Sequence, residues 1–364
     1  MSRISLILIL FLLIVSDDTK AQSFNDTALW HEKQRELRYH PEGNDFAITG
    51  GKRKFVRALY GTHTGFRVET GDLPEFALYM PGMGGNFKFG IIAGNNAKWL
   101  SDAQFIKATY RPGSMLYEIR DEMLGNGTMY ITVLALANAE GMIIQTNFKN
   151  ITSNIELMWA FGGASGKKFS REGDIGADPE SSFYLIEENC QDNSFTIQDN
   201  SFQLFYGSGN VLTEEQRYEI QHLKENNKSA TSVSKNLKQL GGLFPPGSAL
   251  KLADAAAQET PTGLYASAVI LSPVVTGKIK IGNTVSYFLV QNAESTVTKD
   301  YGALNTYFIE AENARKAIAG RIKVNTPDKY INTIGGALSV AADAIWEDPS
   351  YLHGAVAWRI RLNA

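Results

Sequence analysis

The 364 residues are 44% hydrophobic and 20% charged, a composition that supports a sizeable buried core and excludes a disordered or low-complexity chain. A net charge of -3, from 35 lysines and arginines against 38 acids, provides no basic field for a phosphate backbone and argues against a nucleic-acid partner. Five histidines and one cysteine, Cys190, leave neither a zinc framework nor an intrachain disulfide, and no metal or other cofactor is expected.

At the N-terminus, Arg3 precedes the apolar run Ile4 to Val15, and Thr19-Lys20-Ala21 ends in a small residue. Residues 1–21 therefore read as a signal peptide, because the run falls well short of the ~20 apolar residues that a membrane-spanning helix needs. The expectation is a periplasmic or secreted protein with no stable membrane insertion after cleavage. A lone cysteine fits the bacterial periplasm better than a disulfide-rich secreted module.

Residues 22–292 are expected to form a large antiparallel β-sandwich. Runs of strand length such as Lys54–Tyr60, Phe76–Met80, Met129–Leu134 and Met142–Phe148 are cut by Gly50-Gly51, Gly82–Gly85, Gly94-Asn95-Asn96 and Gly125-Asn126-Gly127, which suit the positive φ of tight turns. Strands this numerous need a second sheet to bury them. Residues 162–182 read as a long connection, in which Asp174 and Asp178 lack EF-hand spacing. Thr213-Glu214-Glu215-Gln216 has the form of a capping box and opens a polar helical insertion near 213–240, ended by Pro245-Pro246-Gly247. Leu264–Leu271 and Val285–Val290 read as the last strands of the sandwich. His31, His40 and His63 have no metal-ligand spacing and read as surface or structural histidines, and Cys190, with no nearby histidine signature, reads as inert.

Residues 293–325 change character. Tyr301, Leu304, Phe308, Ala311 and Ile318 fall on one stripe of a linker helix that Gly320 ends. A second helix follows, with Thr326 as N-cap, Pro327 at its first position and Asp328 in its first turn. Ile331, Ile334, Leu338 and Ile345 would form its burying stripe, Asp348-Pro349 would stop it, and no further segment of the chain is placed to cover that stripe.

This order of elements resembles the front half of the six-hairpin glycosidases, in which a β-supersandwich precedes an alpha/alpha toroid. The specific residues are Thr326-Pro327-Asp328, then Ala344–Asp348, then Leu352-His353-Gly354-Ala355-Val356-Ala357-Trp358-Arg359. Leu29-Trp30-His31-Glu32 and Leu73–Gly82 are similar to the sandwich of a Bacteroidetes family associated with plant polysaccharide breakdown. The resemblance implies a mainly β fold, a sandwich followed by a linker helix and the first helices of an incomplete toroid over 326–364. It also implies that the acid and base carboxylates come from later hairpins, so that this form of the chain is truncated and inactive and the glycoside hydrolase is active at full length. The implied partner is an oligo- or polysaccharide.

In that resemblance His353, Trp358, Arg359 and Arg361 supply an imidazole, an aromatic platform and cationic donors to the rim of the sugar pocket, with Trp346 and Asp348 beside them. On residue type alone, Trp358 and Trp346 serve equally as core, the arginines as solvated surface and Asp348 as a helix stop. Glu347 and Asp348 are adjacent and make a poor acid/base pair. Gly82-Met83-Gly84-Gly85 precedes no helix of phosphate-loop spacing and reads as a turn. The competing readings are a non-catalytic carbohydrate-binding sandwich and a structural exported sandwich.

Overall fold

The computed structural model describes residues 37–80, 83–151, 154–165, 184–206, 239–282, 284–292, 300–347, 350–353 and 360–361. The chain divides into two units, Met1–Arg38 and Tyr39–Ala364, and every element named here lies in the second. The expected signal peptide, His31, Asp174, Asp178 and the insertion up to residue 238 lie outside the described residues.

The strands are β1 (His40–Glu42), β2 (Asp45–Thr49), β3 (Arg57–Leu59), β4 (Arg67–Thr70), β5 (Glu75–Met80), β6 (Met83–Ala93), β7 (Asn96–Trp99), β8 (Phe105–Arg111) and β9 (Ser114–Arg120). They continue as β10 (Thr128–Ala135), β11 (Gly141–Lys149), β12 (Glu156–Ser165), β13 (Ser194–Gln198), β14 (Ser201–Phe205), β15 (Gln239–Leu243), β16 (Lys251–Asp254), β17 (Pro273–Lys280) and β18 (Ser286–Asn292). Among the described residues they build two large antiparallel sheets. One runs β1-β2-β8-β9-β10-β11-β18-β15-β14-β13, and the other runs β16-β17-β12-β6-β5-β4-β3 with β7 on β6.

The two-residue period decides what each sheet buries. In β10, Met129, Ile131 and Val133 enter the core between the sheets, while Tyr130 and Thr132 face away and are half-buried. At the centre, Phe87, Phe89 and Trp159 of one sheet meet Phe288 of the other, with ring centroids 5.1 Å apart for Trp159–Phe288 and 5.0 Å for Phe89–Phe288. Such pairs contribute about 0.5–1.5 kcal/mol each beyond their buried area. Gly277 makes room for this packing, because a Cβ there would lie 2.4 Å from Cζ2 of Trp159.

Each sheet carries a helical layer on part of its outer face. Helices α1 (Glu187–Cys190) and α2 (Pro261–Ala266) lie in an apolar layer on the β6–β12–β17 side, with Leu185, Cys190 and Leu264 packed near Met158, Ala160 and Val274. The expected strand Leu264–Leu271 is not formed there. Thr260 Oγ1 accepts from the Gly263 N–H at 3.0 Å and Pro261 takes the first helical position, so local capping makes 261–266 a helix. Leu240, the end given to the expected helical insertion, is strand instead, since Gln239–Leu243 pairs between β14 and β18.

Within the stretch read as a linker helix lies α3 (Leu304–Ala319), which leaves Tyr301 of the expected stripe in a short 3-10 turn before it. Its Leu304, Phe308 and Ala311 pack on Leu134, Ile143 and Leu289 of the other sheet's outer face. Arg315 is buried on the same stripe, held by Glu312 at 2.7 Å through Nε and by the Pro112 carbonyl at 3.2 Å. Burial works to raise the Glu312 carboxyl, but Arg315 and Arg111 outweigh it and hold it below the usual range.

Candidate functional site

The residues assigned to a sugar pocket fall at the end of the next helix, α4 (Lys329–Ala344), and beyond it. The start of α4 corrects the expected cap. Asp328 is the N-cap, its Oδ1 accepting from the N–H groups of Tyr330 at 2.7 Å and Ile331 at 3.3 Å. Thr326 is instead clasped by Asn332, whose Oδ1 accepts from the Thr326 N–H at 2.6 Å and whose Nδ2 donates to the Thr326 carbonyl at 2.8 Å.

The expected burying stripe is also corrected. Ile331, Ile334 and Leu338 are 48%, 44% and 55% exposed, whereas Thr333, Gly335, Ser339 and Val340 are the buried face. That face belongs to small side chains because α4 lies close to its neighbours. A Cβ at Gly335 would come within 2.8 Å of Val324 Cγ2, and Val340 packs near Gly113. Tyr330 adds a 3.0 Å contact between its Oη and His40 Nδ1.

Helix α4 ends at Ala344 rather than at Asp348-Pro349, and the chain turns into a hairpin instead of a longer helix. Strands β19 (Trp346–Glu347), β20 (Ser350–His353) and β21 (Ile360–Arg361) follow, with Trp346 opposite Tyr351. Trp346 is half-buried and its ring lies 4.9 Å from that of Tyr351 at 70°. The backbone pairs His353 with Ile360 and Leu352 with Arg361, so His353 and Arg361 are one register step apart. Asp348, Trp358 and Arg359 lie outside the described residues.

Beside this hairpin the structure assembles a polar group that sequence reasoning passed over. Asp343, near the end of α4, accepts from Arg321 Nη1 at 2.7 Å through Oδ1 and meets His63 Nε2 at 3.1 Å through Oδ2. His63 arrives on the β3–β4 loop, which is pinned where Thr64 donates to Glu140 Oε1 at 2.6 Å. Gly61 lets that loop press on the sheet, since a Cβ there would lie 1.9 Å from the Leu136 carbonyl oxygen. A half-exposed imidazole oriented by a carboxylate can hydrogen-bond a hydroxyl.

A second polar cluster lies buried on the outer face of the β4–β5–β6 region. Lys54 pairs with Glu75 at 2.6 Å, and Asn86 Nδ2 donates to Glu75 at 2.7 Å. Lys88 donates to Gln258 Oε1 at 2.7 Å and lies 4.1 Å from the Trp99 ring centre. Burial pushes the Lys88 ammonium down to about 8, with Glu75 acting against that shift. Arg67 is paired with Glu69 and stacked over Tyr79 at 3.6 Å. These contacts tie the sheet to itself and to its cover, and the layer reads as structural. Burial pushes the Cys190 thiol up to about 12, which suits an inert core residue. Among the described residues no group of three or more His, Cys, Asp or Glu is placed to hold a metal ion, and no helix is long and apolar enough to cross a membrane.

A search of curated proteins finds no match. A bacterial glucoamylase solved in complex with acarbose is similar at 9% identity and a TM-score of 0.47, over 81% of this chain and 41% of that one. A protein assigned as a kojibiose phosphorylase from the human microbiome is similar at 9% identity and a TM-score of 0.34, over 84% of this chain and 38% of that one. The chain thus spans about two-fifths of the length of these solved structures. A family profile described as a domain of unknown function, DUF4450, matches residues 80–312. That match takes in most of both sheets and the first half of α3, and the chain belongs to the DUF4450 family.

Proposed function

We propose that the chain is the sandwich-bearing part of an exported carbohydrate-active enzyme built like the six-hairpin glycosidases. The observation that carries this reading is the exposed face of α4, where Ile331, Ile334 and Leu338 stand side by side on a helix whose opposite face is already packed. Positions i, i+3 and i+7 make one continuous apolar stripe, and such a stripe exposed on a well-formed helix is the surface on which another helical layer packs. The residues Thr326–Asp328 and 344–359, which resemble the first hairpin of an alpha/alpha toroid, supply the kind of layer.

In this reading the helical hairpins of the whole enzyme cover the stripe and contribute the acid and base, which glycoside hydrolysis places roughly 5–9.5 Å apart across the sugar. Trp346, Asp348, His353, Trp358, Arg359 and Arg361 line the pocket rim, and His63 with Asp343 brings a sandwich imidazole to its edge. The 364-residue chain by itself turns over no glycan. The test is release of reducing ends from plant-derived oligosaccharides by the whole exported enzyme from its native host and by the 364-residue chain. Hydrolysis confined to the whole enzyme is the expected result. Turnover by the pure chain that a carboxylate substitution abolishes would overturn the reading, as would a whole enzyme that neither binds nor cleaves any glycan.

A further inference from the structure

The loop between α2 and β17 exposes four consecutive apolar residues, Ala268, Val269, Ile270 and Leu271. Ile270 is 87% exposed, more than any other large apolar side chain among the described residues, and Leu271 is 57% exposed. An apolar run of this length held in water adds nothing to the core and marks a contact surface.

The exposure is built into the backbone. At the start of the tip, Ser267 Oγ donates to the Leu264 carbonyl at 2.8 Å and accepts from the Asp254 N–H at 3.0 Å, and the Ser267 carbonyl accepts from Lys251 Nζ at 3.3 Å. At its end, the Ser272 carbonyl accepts from the Ala255 N–H at 2.9 Å. Between these ties the N–H groups of Ile270, Leu271 and Ser272 converge on Oδ2 of the buried Asp254. The backbone is thus turned inward while the aliphatic side chains stand in solvent. A loop fixed in this way loses little conformational entropy when it makes a contact.

Size, charge and place together select what the tip contacts. A stable protein interface takes about 800 Å² and roughly 20–30 residues from each partner, far more than four residues supply. Residues Thr260–Gly277, which contain the tip, carry no charged side chain that could add ion pairs at its edge. The tip is also a separate surface from the α4 stripe. It extends from the α2 layer on the β6–β12–β17 side, whereas α4 packs near Pro112 and Gly113 of the other sheet. A bilayer interface needs no matching surface and accepts a protruding apolar tip of any shape. Val269, Ile270 and Leu271 together hold somewhat less hydrocarbon than one myristoyl chain, which binds membranes reversibly with a constant of ~10⁴ M⁻¹.

We propose that Ala268–Leu271 is a lipid-contact loop that seats reversibly in the apolar boundary of a bilayer surface. The contact is peripheral, falls short of stable insertion, and is independent of glycan chemistry.

The test is co-sedimentation of the exported chain, without residues 1–21, with phosphatidylcholine vesicles, for the parent, an Ile270→Ser/Leu271→Ser double variant and Ile270→Trp. All three should share one melting temperature, because both positions are exposed. The parent should be half-bound at about 1 mM lipid and remain bound at about 1 M salt, since no charge drives the contact. The two serines should weaken binding at least about tenfold, and tryptophan, which favours the membrane interface, should strengthen it. No binding by the folded parent, unaltered binding by the serine variant, or release by salt overturns the proposal. Binding that survives the tip serines but is lost with Ile334→Ser and Leu338→Ser belongs to the α4 stripe and also overturns it. Concentration-dependent dimerisation that the tip serines abolish would assign the tip to a second copy of the chain instead.

Discussion

Replacing Asp254 by asparagine should loosen the loop that joins α2 to β17, by an amount that depends on pH. Asp254 Oδ2 accepts from the backbone N–H groups of Ile270 at 2.7 Å, Leu271 at 2.8 Å and Ser272 at 3.1 Å, while Oδ1 accepts from that of Ala256 at 3.1 Å. Burial alone would raise the carboxyl, but these four donors outweigh it and hold the group at about 2 against an ordinary 3.8. At ~1.4 kcal/mol per pH unit of displacement, the ionised form contributes roughly 2 kcal/mol to folding. Because the folded value is depressed, that stability is present in full above about pH 4 and is lost as pH falls toward 2. About half of it should be gone at pH 3. The amide introduced by Asp254→Asn cannot ionise and offers one acceptor oxygen in place of two. The variant should therefore be about 2–3 kcal/mol less stable than the parent at pH 6, and its deficit should shrink by about 1 kcal/mol at pH 3. Urea unfolding of both proteins at the two pH values reads the difference, with an unchanged slope confirming that only stability moved. A deficit of the same size at both values would show that the carboxylate charge is not what holds the loop.

Three further outcomes follow from the same residues. Exported protein should have lost residues 1–21 and begin at Gln22, and an intact mass that retains them would count against the signal-peptide reading. In the 364-residue chain, Ile331→Ser, Ile334→Ser and Leu338→Ser should each change stability by no more than about 0.5 kcal/mol, because these side chains are exposed, whereas Val340→Ala on the buried face should cost about 2 kcal/mol. Large losses from the three serine variants in thermal unfolding would mean that the stripe is already covered. Cys190 should resist a thiol reagent at pH 8 in the native state and react once urea unfolds the protein, and rapid native labelling would contradict the buried, raised thiol.

Much of the sandwich was legible as apolar runs of strand length cut by turn residues, such as Met129–Leu134 and Met142–Phe148, and α3 as the stripe Leu304, Phe308 and Ala311. What escaped the sequence is what depends on partners distant along the chain. The burying face of α4 is Thr333, Gly335 and Ser339, because close approach to its neighbours favours small side chains over the larger aliphatics of its apparent stripe. Arg67, Glu75 and Lys88 carry charges that composition alone would leave in solvent, yet all three are buried, Arg67 against Glu69 and Tyr79, Glu75 against Lys54 and Asn86, and Lys88 against Gln258. The apolar residues of Leu264–Leu271 suggest a strand, while Thr260 and Pro261 start a helix that takes in Leu264–Ala266. Of the candidate site, the β19–β21 hairpin was not legible, since the apolar positions from Ile331 to Ile345 suggest one helix running to Asp348-Pro349. Nor was the His63–Asp343 pair, since 280 positions separate its members and only the packing of the β3–β4 loop joins them.

The most direct test of a sugar pocket at this rim is the kinetics of the whole enzyme carrying Trp358→Ala or Arg359→Ala, measured with its melting temperature. A residue that contacts sugar loses transition-state stabilisation without loss of fold, so each variant should lower kcat/KM by at least about tenfold, or ~1.4 kcal/mol, at an unchanged melting temperature. Wild-type kinetics in both variants would contradict the account, and activity lost only in step with a fall in melting temperature would make the two residues part of the core.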